Sequence, residues 1–584
     1  MIVRMKHLDL VCIAADKEAT LERLRALGAV HLDLGVAAGA AVAAAKGELE
    51  DAEKAVRLVR KAEESYLRSL GPKASRESVE KRPCPVADVL ALDEDRATLL
   101  AEKERLEREI KVYAPYGDFD PALAKKLAER GIWLELNKDG SFSIRSGKDS
   151  ASPLEIRSGR DSASPLDAVK LPEMRLAKMQ EKLARVENRI AVDTAKIARA
   201  DEKAFLAKYP ALRERMEFEQ AKELMSEKGA VCLVSGWLPE TRIADFKSQI
   251  SEAGWGCLLR DPEEGEIPPT LIDPPRFVRP IKALFDGLGI LPAYDEADVS
   301  VPFLCYFSLF FAMLVGDGAY GGIFLVGTLL LRRKLPKAWF ALMTVFSLAT
   351  VAWGAISNTW FGAGLPWCAD WPTVKWLAGE GAASGHEYDN IMFLCFTIGV
   401  THLMLARIWN GIVRLNDRSC LREFGWAGIV LFMYILTNTI IGIFSGIPVW
   451  AYWMFGVSFL TVFASVKGVE KGMLFLNAMS ALGDVISYVR LFAVGLASVK
   501  VAENFNGMAM SIFNCTDSLW VKPLLALGMV FVLLAGHGLN IAMAGLSVLV
   551  HAVRLNTLEF SNHKGVTWAG YAFRPFKTGK GERQ

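Results

Sequence analysis

From about residue 302 the apolar positions run on with few interruptions, in stretches at 302–331, 339–361, 390–413, 424–446, 449–466, 472–514 and 519–561. About 20 apolar residues cross a bilayer as a helix, so this half of the chain is expected in a membrane. Before residue 295 the chain is charged, and its apolar residues are spaced for one face of a helix or strand. MIVRMKHLDLVCIA and DKEATLERLRALGAVHLDL predict a strand, a helix stopped by Gly28, and a second strand. AVCLVSGWLP, TRIADFKSQISEAG and WGCLLRD repeat that order near residue 240. Between the repeats, Val42, Leu49, Val56 and Leu70 form an apolar seam on a charged helix. Pro83 and Pro85 interrupt it, Leu99, Leu106 and Ile110 continue it, and Met179, Val186, Ile190 and Ile197 mark its return.

This pattern predicts a multidomain membrane protein. Its α+β half, 1–295, is expected to hold two small α/β lobes joined by a long antiparallel coiled coil. The proximal lobe is drawn from 1–35 and 229–295, the arms from about 40–112 and 171–228, and the distal lobe from about 113–170, where NKDG suggests a hairpin turn. An α-helical membrane domain follows at 302–567, and 568–584 is a tail.

Within the distal region IRSGKDSASPLE, 144–155, is followed by IRSGRDSASPLD, 156–167. A Gly/Ser/Asp/Pro composition buries no core, so the duplication is expected as a mobile surface loop. Its SGKDS only superficially resembles a phosphate loop, and the chain has no GxxxxGK[ST] motif, which argues against nucleotide binding.

Charge sets the topology. RRKLPK, Arg407 through Arg422 and KGVEK follow the first, third and fifth apolar stretches, whereas Gly362–Asn390 carries Asp370, Glu380, Glu387 and Asp389 against Lys375 alone. The basic segments are expected in the cytoplasm and the acidic loop outside. The opening residues lack a continuous apolar signal region, so the first half is expected in the cytoplasm too. The stretch 302–331 must then cross twice or not at all, although about 30 residues are too many for one perpendicular span and too few for two full ones. GDGAYGG interrupts it, which predicts two short helices turning at Gly316, Asp317 and Gly318, about eight crossings in all, and a cytoplasmic carboxyl terminus. Asp317 is expected as a cap or structural acid. The last two stretches, of about 43 residues or 65 Å each, are about twice what a bilayer needs and are expected to be tilted or bent.

The net charge of +2 and the absence of a basic, aromatic-interleaved patch argue against nucleic acid. Nine cysteines without a CxxC pair indicate neither a disulfide framework nor a metal site, and no cofactor is expected.

Candidate chemistry lies in the last two spans. Arg490 stands inside SYVRLFAVGLAS, where a charged group costs from about 3 to over 10 kcal/mol unless it faces protein or water. At 100° per residue Asn477, Ser480, Asp484, Ser487, Arg490 and Ser498 fall within roughly 140° of one face. His537, Asn540, Ser547, His551 and Arg554 fall within about 100° on the final span. Two readings of Arg490 stay open on these residues alone. Either it belongs to a path for a charged species, or it pairs with Asp484 and locks two helices. Arg554, nearer a helix end, is also placed to snorkel, and His402 reads as a packed helix residue.

SYVRLFAVGLAS resembles the arginine helix of the membrane-embedded stator protein, the a subunit or subunit I, of V-type and archaeal-type rotary ATPases. VHAVRLNTLEF with YAFRPF resembles that protein's carboxyl-terminal motif, RFVRP leading to FFAMLVGDGAYG its approach to the membrane, and SGWLPE its proximal lobe. The resemblance implies a non-catalytic, ion-translocating stator subunit in a bacterial inner membrane. Its implied partners are the proteolipid c-ring, the E and G subunits of the peripheral stalk, the C/d subunit of the central stalk, and membrane lipid. It makes Arg490 the essential arginine and Arg554 the second, and His551 stands where histidine is common. On the polar stripes, His537, Asn540, Ser547 and His551 are expected to line one half-channel with Arg554, and Asn477, Ser480, Asp484 and Ser487 to contribute to another. Ser498 stands where eukaryotic members carry a histidine and Ala544 where they carry a glutamate, which leaves proton and sodium both open. The competing expectation is a self-contained secondary transporter or channel with a cytoplasmic coiled-coil domain. No internal membrane repeat supports it.

Overall fold

A computed structural model describes the chain except at residues 1, 34–38, 71–78, 131, 137–141, 147–171, 380–385, 467, 469, 516–519 and 578–584. The described residues are mostly helical and form two compact units. One comprises Asp9–Gly236, Ala253–Leu258 and Phe576–Gln584, the other Met1–Leu8, Trp237–Glu252 and Leu259–Pro575.

The chain opens with β1 (Met5–Ile13), α1 (Lys17–Leu27) and β2 (His31–Leu32). Gly28 ends α1 in the left-handed region at φ 55°. Next come α2 (Ala40–Leu70), α3 (Val86–Tyr113), α4 (Pro121–Glu129), β3 (Ile132–Leu136), β4 (Phe142–Ser146), α5 (Leu176–Ala198) and α6 (Glu202–Leu224). The segment closes with β5 (Ser226–Lys228), β6 (Val231–Pro239), α7 (Ile243–Ala253) and β7 (Gly256–Arg260). Strand order in the small sheet is β2-β6-β1-β7, with β5 paired to β6. Strands β3 and β4 pair antiparallel, Ile132 opposite Ser146 and Leu136 opposite Phe142. The NKDG turn and the duplicated segment beyond Ser146 lie outside the described residues.

Helices α2 and α6 run antiparallel, since Glu48 meets Arg215 at 2.9 Å while Arg60, farther along α2, meets Glu202 at 2.7 Å at the start of α6. Helix α3 lies along α5, with Lys182 on Glu102 at 2.5 Å and Lys103 on Glu187 at 2.7 Å. Exposed pairs of this kind contribute only about 0–1 kcal/mol each. The apolar cluster of Ala55, Val59, Ala62, Val89, Ile197 and Phe205 therefore holds these helices, at about 1.5–3 kcal/mol for each large side chain buried.

The remainder consists of α8 (Ile281–Leu288), α9 (Ser300–Val315), α10 (Gly318–Leu330), α11 (Lys337–Ser357), α12 (Pro372–Leu377), α13 (Asp389–Val413), α14 (Ser419–Ile440) and α15 (Val449–Ser465). Then follow α16 (Glu470–Ile486), α17 (Val489–Phe513), α18 (Lys522–Ser547), two π-helical segments at Val548–Ala552 and Leu555–Phe560, and α19 (Ser561–Lys564). Five stretches are long and apolar enough to cross a membrane: Lys337–Ser357, Asp389–Val413, Ser419–Ile440, Lys471–Phe513 and Lys522–Lys564. The last two are 43 residues each, and α9 with α10 would make a sixth as a broken span. Helix α15, at 17 residues, is shorter.

Helices α9 and α10 meet at a bend of 118°. Gly316 takes φ 71° and closes α9 onto the Ala312 carbonyl. Asp317, almost fully buried, caps α10: its Oδ1 accepts from the N–H of Ala319 at 2.8 Å and Tyr320 at 3.4 Å, and its Oδ2 from the N–H of Gly362 at 2.8 Å. Asp317→Ala would strand these donors away from water. An unfolding loss of about 2–4 kcal/mol is expected, read by denaturation of the purified chain in detergent, with Asp317→Asn losing about half as much. A Cβ on Gly354 would fall 2.2 Å from the Gly318 backbone, so α10 and α11 touch main chain to main chain. Phe303, Phe307, Phe310, Phe346, Phe396 and Tyr488 fill the core on which α17 is seated.

Candidate functional site

Arg490 lies in the first turn of α17, just after a break at Ser487 and Tyr488, near the middle of the 43-residue apolar stretch Lys471–Phe513. The Ser487 hydroxyl donates to the Asp484 carbonyl at 2.7 Å, and the Ser487 carbonyl accepts from Arg490 Nε at 2.9 Å, which fixes the root of the guanidinium. Its Nη2 donates to Glu559 Oε1 at 2.8 Å. That oxygen also lies 3.5 Å from Arg554 Nε. The i→i+5 turn of Leu555–Phe560 makes the second contact possible, because a straight α-helix would put positions 554 and 559 about 140° apart. The Glu559 side chain is 5% exposed, Arg490 24% and Arg554 53%. Glu559 Oε2 is buried and has no hydrogen-bond partner among the described residues. Two guanidinium groups thus share one carboxylate, so the trio of Arg490, Arg554 and Glu559 carries one net positive charge on a partly open face.

That face is apolar beyond the arginines. Ile486, Leu546, Leu549, Val550 and Leu558 are exposed around them. Only 11% of the most apolar stretch of Lys522–Lys564 is buried within the chain, against 61% for α14.

A second polar cluster sits one turn along. His563 Nε2 lies 3.0 Å from Asp484 Oδ2, and Arg407 Nε donates to His563 Nδ1 at 3.1 Å. Arginine can only donate, so Nδ1 is the acceptor and Nε2 carries the hydrogen that Asp484 receives. Arg407 also donates to Glu423 Oε2 at 3.1 Å and lies over the Trp426 ring. Lys564 donates to Asn410 Oδ1 at 2.6 Å, while Asn410 Nδ2 returns to the His563 and Lys564 carbonyls. Asp484 therefore faces His563, and Arg490 faces Glu559. Both rungs tie the α16–α17 helix to the end of the last one.

A third cluster surrounds α10. Tyr320 OH is 2.7 Å from His537 Nδ1, Asn540 Nδ2 donates to Tyr320 OH at 3.1 Å, and His537 Nε2 is 3.1 Å from Asn506 Oδ1. Ser498 Oγ reaches Asn540 Oδ1 at 3.2 Å. Ser547 and His551 lie half-buried between this cluster and Arg554, and His551 Nδ1 has no hydrogen-bond partner among the described residues. Asn477 and Ser480 are exposed. His402 is fully buried, stacked on Phe560 at 4.4 Å and Tyr306 at 4.0 Å, with Nδ1 2.8 Å from Tyr488 OH. No group of three or more His, Cys, Asp or Glu able to hold a metal ion occurs among the described residues.

The residues that pattern reading passed over are Glu559, His563, Arg407, Tyr320 and Asn506. Glu559 had a signal of its own, as the sole carboxylate between 522 and 564. Tyr320 and Arg407 come from distant helices and had none.

No protein-family model matches the chain. Among curated proteins, "V-type ATP synthase subunit I 1" of Treponema pallidum is 30% identical over 636 aligned positions, covering 99% of this chain and 100% of the relative. The chain belongs to the V-type ATP synthase subunit I family. "V-type ATP synthase subunit I" of Borreliella burgdorferi is 33% identical over 387 residues, 62% of this chain and 63% of the relative. "A-type ATP synthase subunit I" of Methanocaldococcus jannaschii is 25% identical over 468 residues, 71% of this chain and 65% of the relative. Membership makes the chain a membrane subunit of a rotary ATPase, in keeping with its long apolar helices.

Proposed function

We propose that this subunit forms, with a ring of proteolipid helices, the two half-channels through which protons or sodium ions cross, and that Arg490 is the fixed cation between them. The observation that carries the reading is the charge balance at Arg490, Arg554 and Glu559, which leaves one positive charge beside an apolar, partly open surface. A ring carboxylate brought within about 4–6 Å of that charge would lose affinity for its ion. Once past, it would reload from a second aqueous path, so rotation and transport become one process.

In this reading His537, Asn540, Ser547, His551 and Arg554 line one half-channel, and Asn477, Ser480, Asp484 and Ser487 contribute to the other. Gly316, Asp317 and Gly318 make the turn that lets 302–331 cross twice, giving about eight crossings. The first half and the carboxyl terminus lie on the cytoplasmic side of the inner membrane. The long helices of that half act as an antiparallel coiled coil against the E and G subunits of the peripheral stalk and the C/d subunit of the central stalk, resisting the torque of the ring. The chain carries no ATP chemistry itself.

The ion is identified by ATP-driven transport in vesicles bearing the complex, with and without sodium, at varied pH and with a protonophore. A proton pump is expected to acidify sodium-free vesicles and collapse with protonophore; a sodium pump is expected to require sodium and persist. Transport by the purified chain alone, without ring or stalk, would refute the proposal.

A further inference from the structure

A cavity of about 630 Å³ opens between α8 and the first turn of α11. Its floor is apolar, built from Ile272, Ala283, Pro336 and Trp339, and its polar wall holds Arg279, Lys282 and Asp286. Helix α8 sets this division: Ile281, Ala283, Leu284 and Phe285 are buried, which turns Lys282 and Asp286, one turn apart, outward. Gly287 packs against Trp339, since a Cβ there would come within 3.1 Å of the ring.

Charge at the cavity is poorly compensated. Arg279 and Lys282 line it, Arg276 lies three residues before Arg279, Arg332, Arg333 and Lys334 stand in the loop before α11, and Lys337 begins that helix. The carboxylates lining the cavity are Asp273 and Asp286. Arg279 meets Asp273 at 3.6 Å in the open. Among the described residues, the side chains of Arg276, Lys282, Asp286, Arg333, Lys334 and Lys337 form no ion pair or hydrogen bond. Phe277, next to Arg276 in the chain, is 72% exposed. Since α11 is long and apolar enough to span, a cavity at its first turn falls at the level of lipid headgroups, where tryptophan and basic residues concentrate.

We propose that this cavity binds the headgroup of an anionic glycerophospholipid of the phosphatidylglycerol type. The phosphate meets Arg279 and Lys282, the glycerol hydroxyls donate to Asp286, and the glycerol backbone rests against Trp339. A phosphocholine headgroup has no donor for Asp286. Phosphoethanolamine supplies a donor but cancels the charge that the surrounding cations attract.

The test is native mass spectrometry of the full-length chain in detergent with equimolar phosphatidylglycerol, phosphatidylethanolamine and phosphatidylcholine. One phosphatidylglycerol is expected to remain under activation that strips the other two. Arg279→Gln with Lys282→Gln is expected to lower that retention about tenfold, and Lys282→Gln alone, on an exposed side chain, about threefold. Lys282→Arg should restore it. Arg333→Gln with Lys334→Gln removes the same charge outside the cavity and is expected to change retention by less than about twofold. Equal losses from the two double variants, or equal retention of the three lipids, would overturn the proposal. The readout is lipid retention, so it stands apart from any result on ion transport.

Discussion

Arg490→Ala in the assembled complex is expected to reduce ATP-driven ion transport to background while leaving the complex assembled. The substitution turns a site of two guanidinium groups and one carboxylate into a neutral pair, with Arg554 still 3.5 Å from Glu559. The lost charge is the one nearest the centre of its helix and the one better withdrawn from water. An opposite charge within about 4–6 Å lowers a buried carboxylate's pKa by about 1–3, a tenfold to thousandfold change in its hold on a proton. Without that change a passing carboxylate has no reason to release its ion at the stator. Arg490→Lys keeps the charge but not the fork. A lysine cannot hold both the Glu559 oxygen and the Ser487 carbonyl in the present geometry, so coupled transport at about a tenth of the parent or less is expected. The measurement is ion uptake per ATP hydrolysed in vesicles, with assembly checked by co-purification of the ring. Coupling above about half of the parent value in Arg490→Ala would remove Arg490 from the mechanism.

The long apolar stretches were legible because length and composition alone identify a membrane helix, and the 43-residue final pair was visible for the same reason. The break at Gly316 and Asp317 was legible too. A Gly-Asp-Gly triplet in an apolar run offers a left-handed stop and a helix cap together, and the structure uses both. The partner of Arg490 was not legible, and the reason is geometric. Angular reading assumes an unbroken helix at 100° per residue, which put Asp484 on the arginine's face. The helix breaks at Ser487 and Tyr488, Asp484 turns to His563, and the π-helical turn at Leu555–Phe560 swings Glu559 beneath both arginines. A departure of one residue per turn suffices to move a side chain out of a stripe computed for α-helix. The Tyr320–His537 contact shows a different limit: it joins residues 217 positions apart, and no periodicity within either helix encodes it.

Glu559→Gln is expected to loosen the site without emptying it, and a double-mutant cycle should show which arginine the carboxylate serves. The amide keeps the volume and one acceptor oxygen but removes the charge. Hydrogen bonds to charged groups contribute about 1.5–3 kcal/mol. The contact to Arg490, at 2.8 Å and 24% exposed, belongs near the top of that range. The one to Arg554, at 3.5 Å and 53% exposed, is weakened by distance and by water, and about 0.5 kcal/mol or less is expected. Pairing Glu559→Gln with Arg490→Gln should therefore give a coupling energy of about 2 kcal/mol in denaturant unfolding of the purified chain, several times that with Arg554→Gln. In the assembled complex, Glu559→Gln leaves Arg490 charged but free to change rotamer. Ions transported per ATP are then expected to fall by about half or more, even where hydrolysis persists, because a cation that wanders no longer meets each carboxylate at one fixed point. Equal couplings for the two arginines would show that the 2.8 Å contact does not hold Arg490 in place, and an unchanged ratio of ions to ATP would show that its placement does not depend on Glu559.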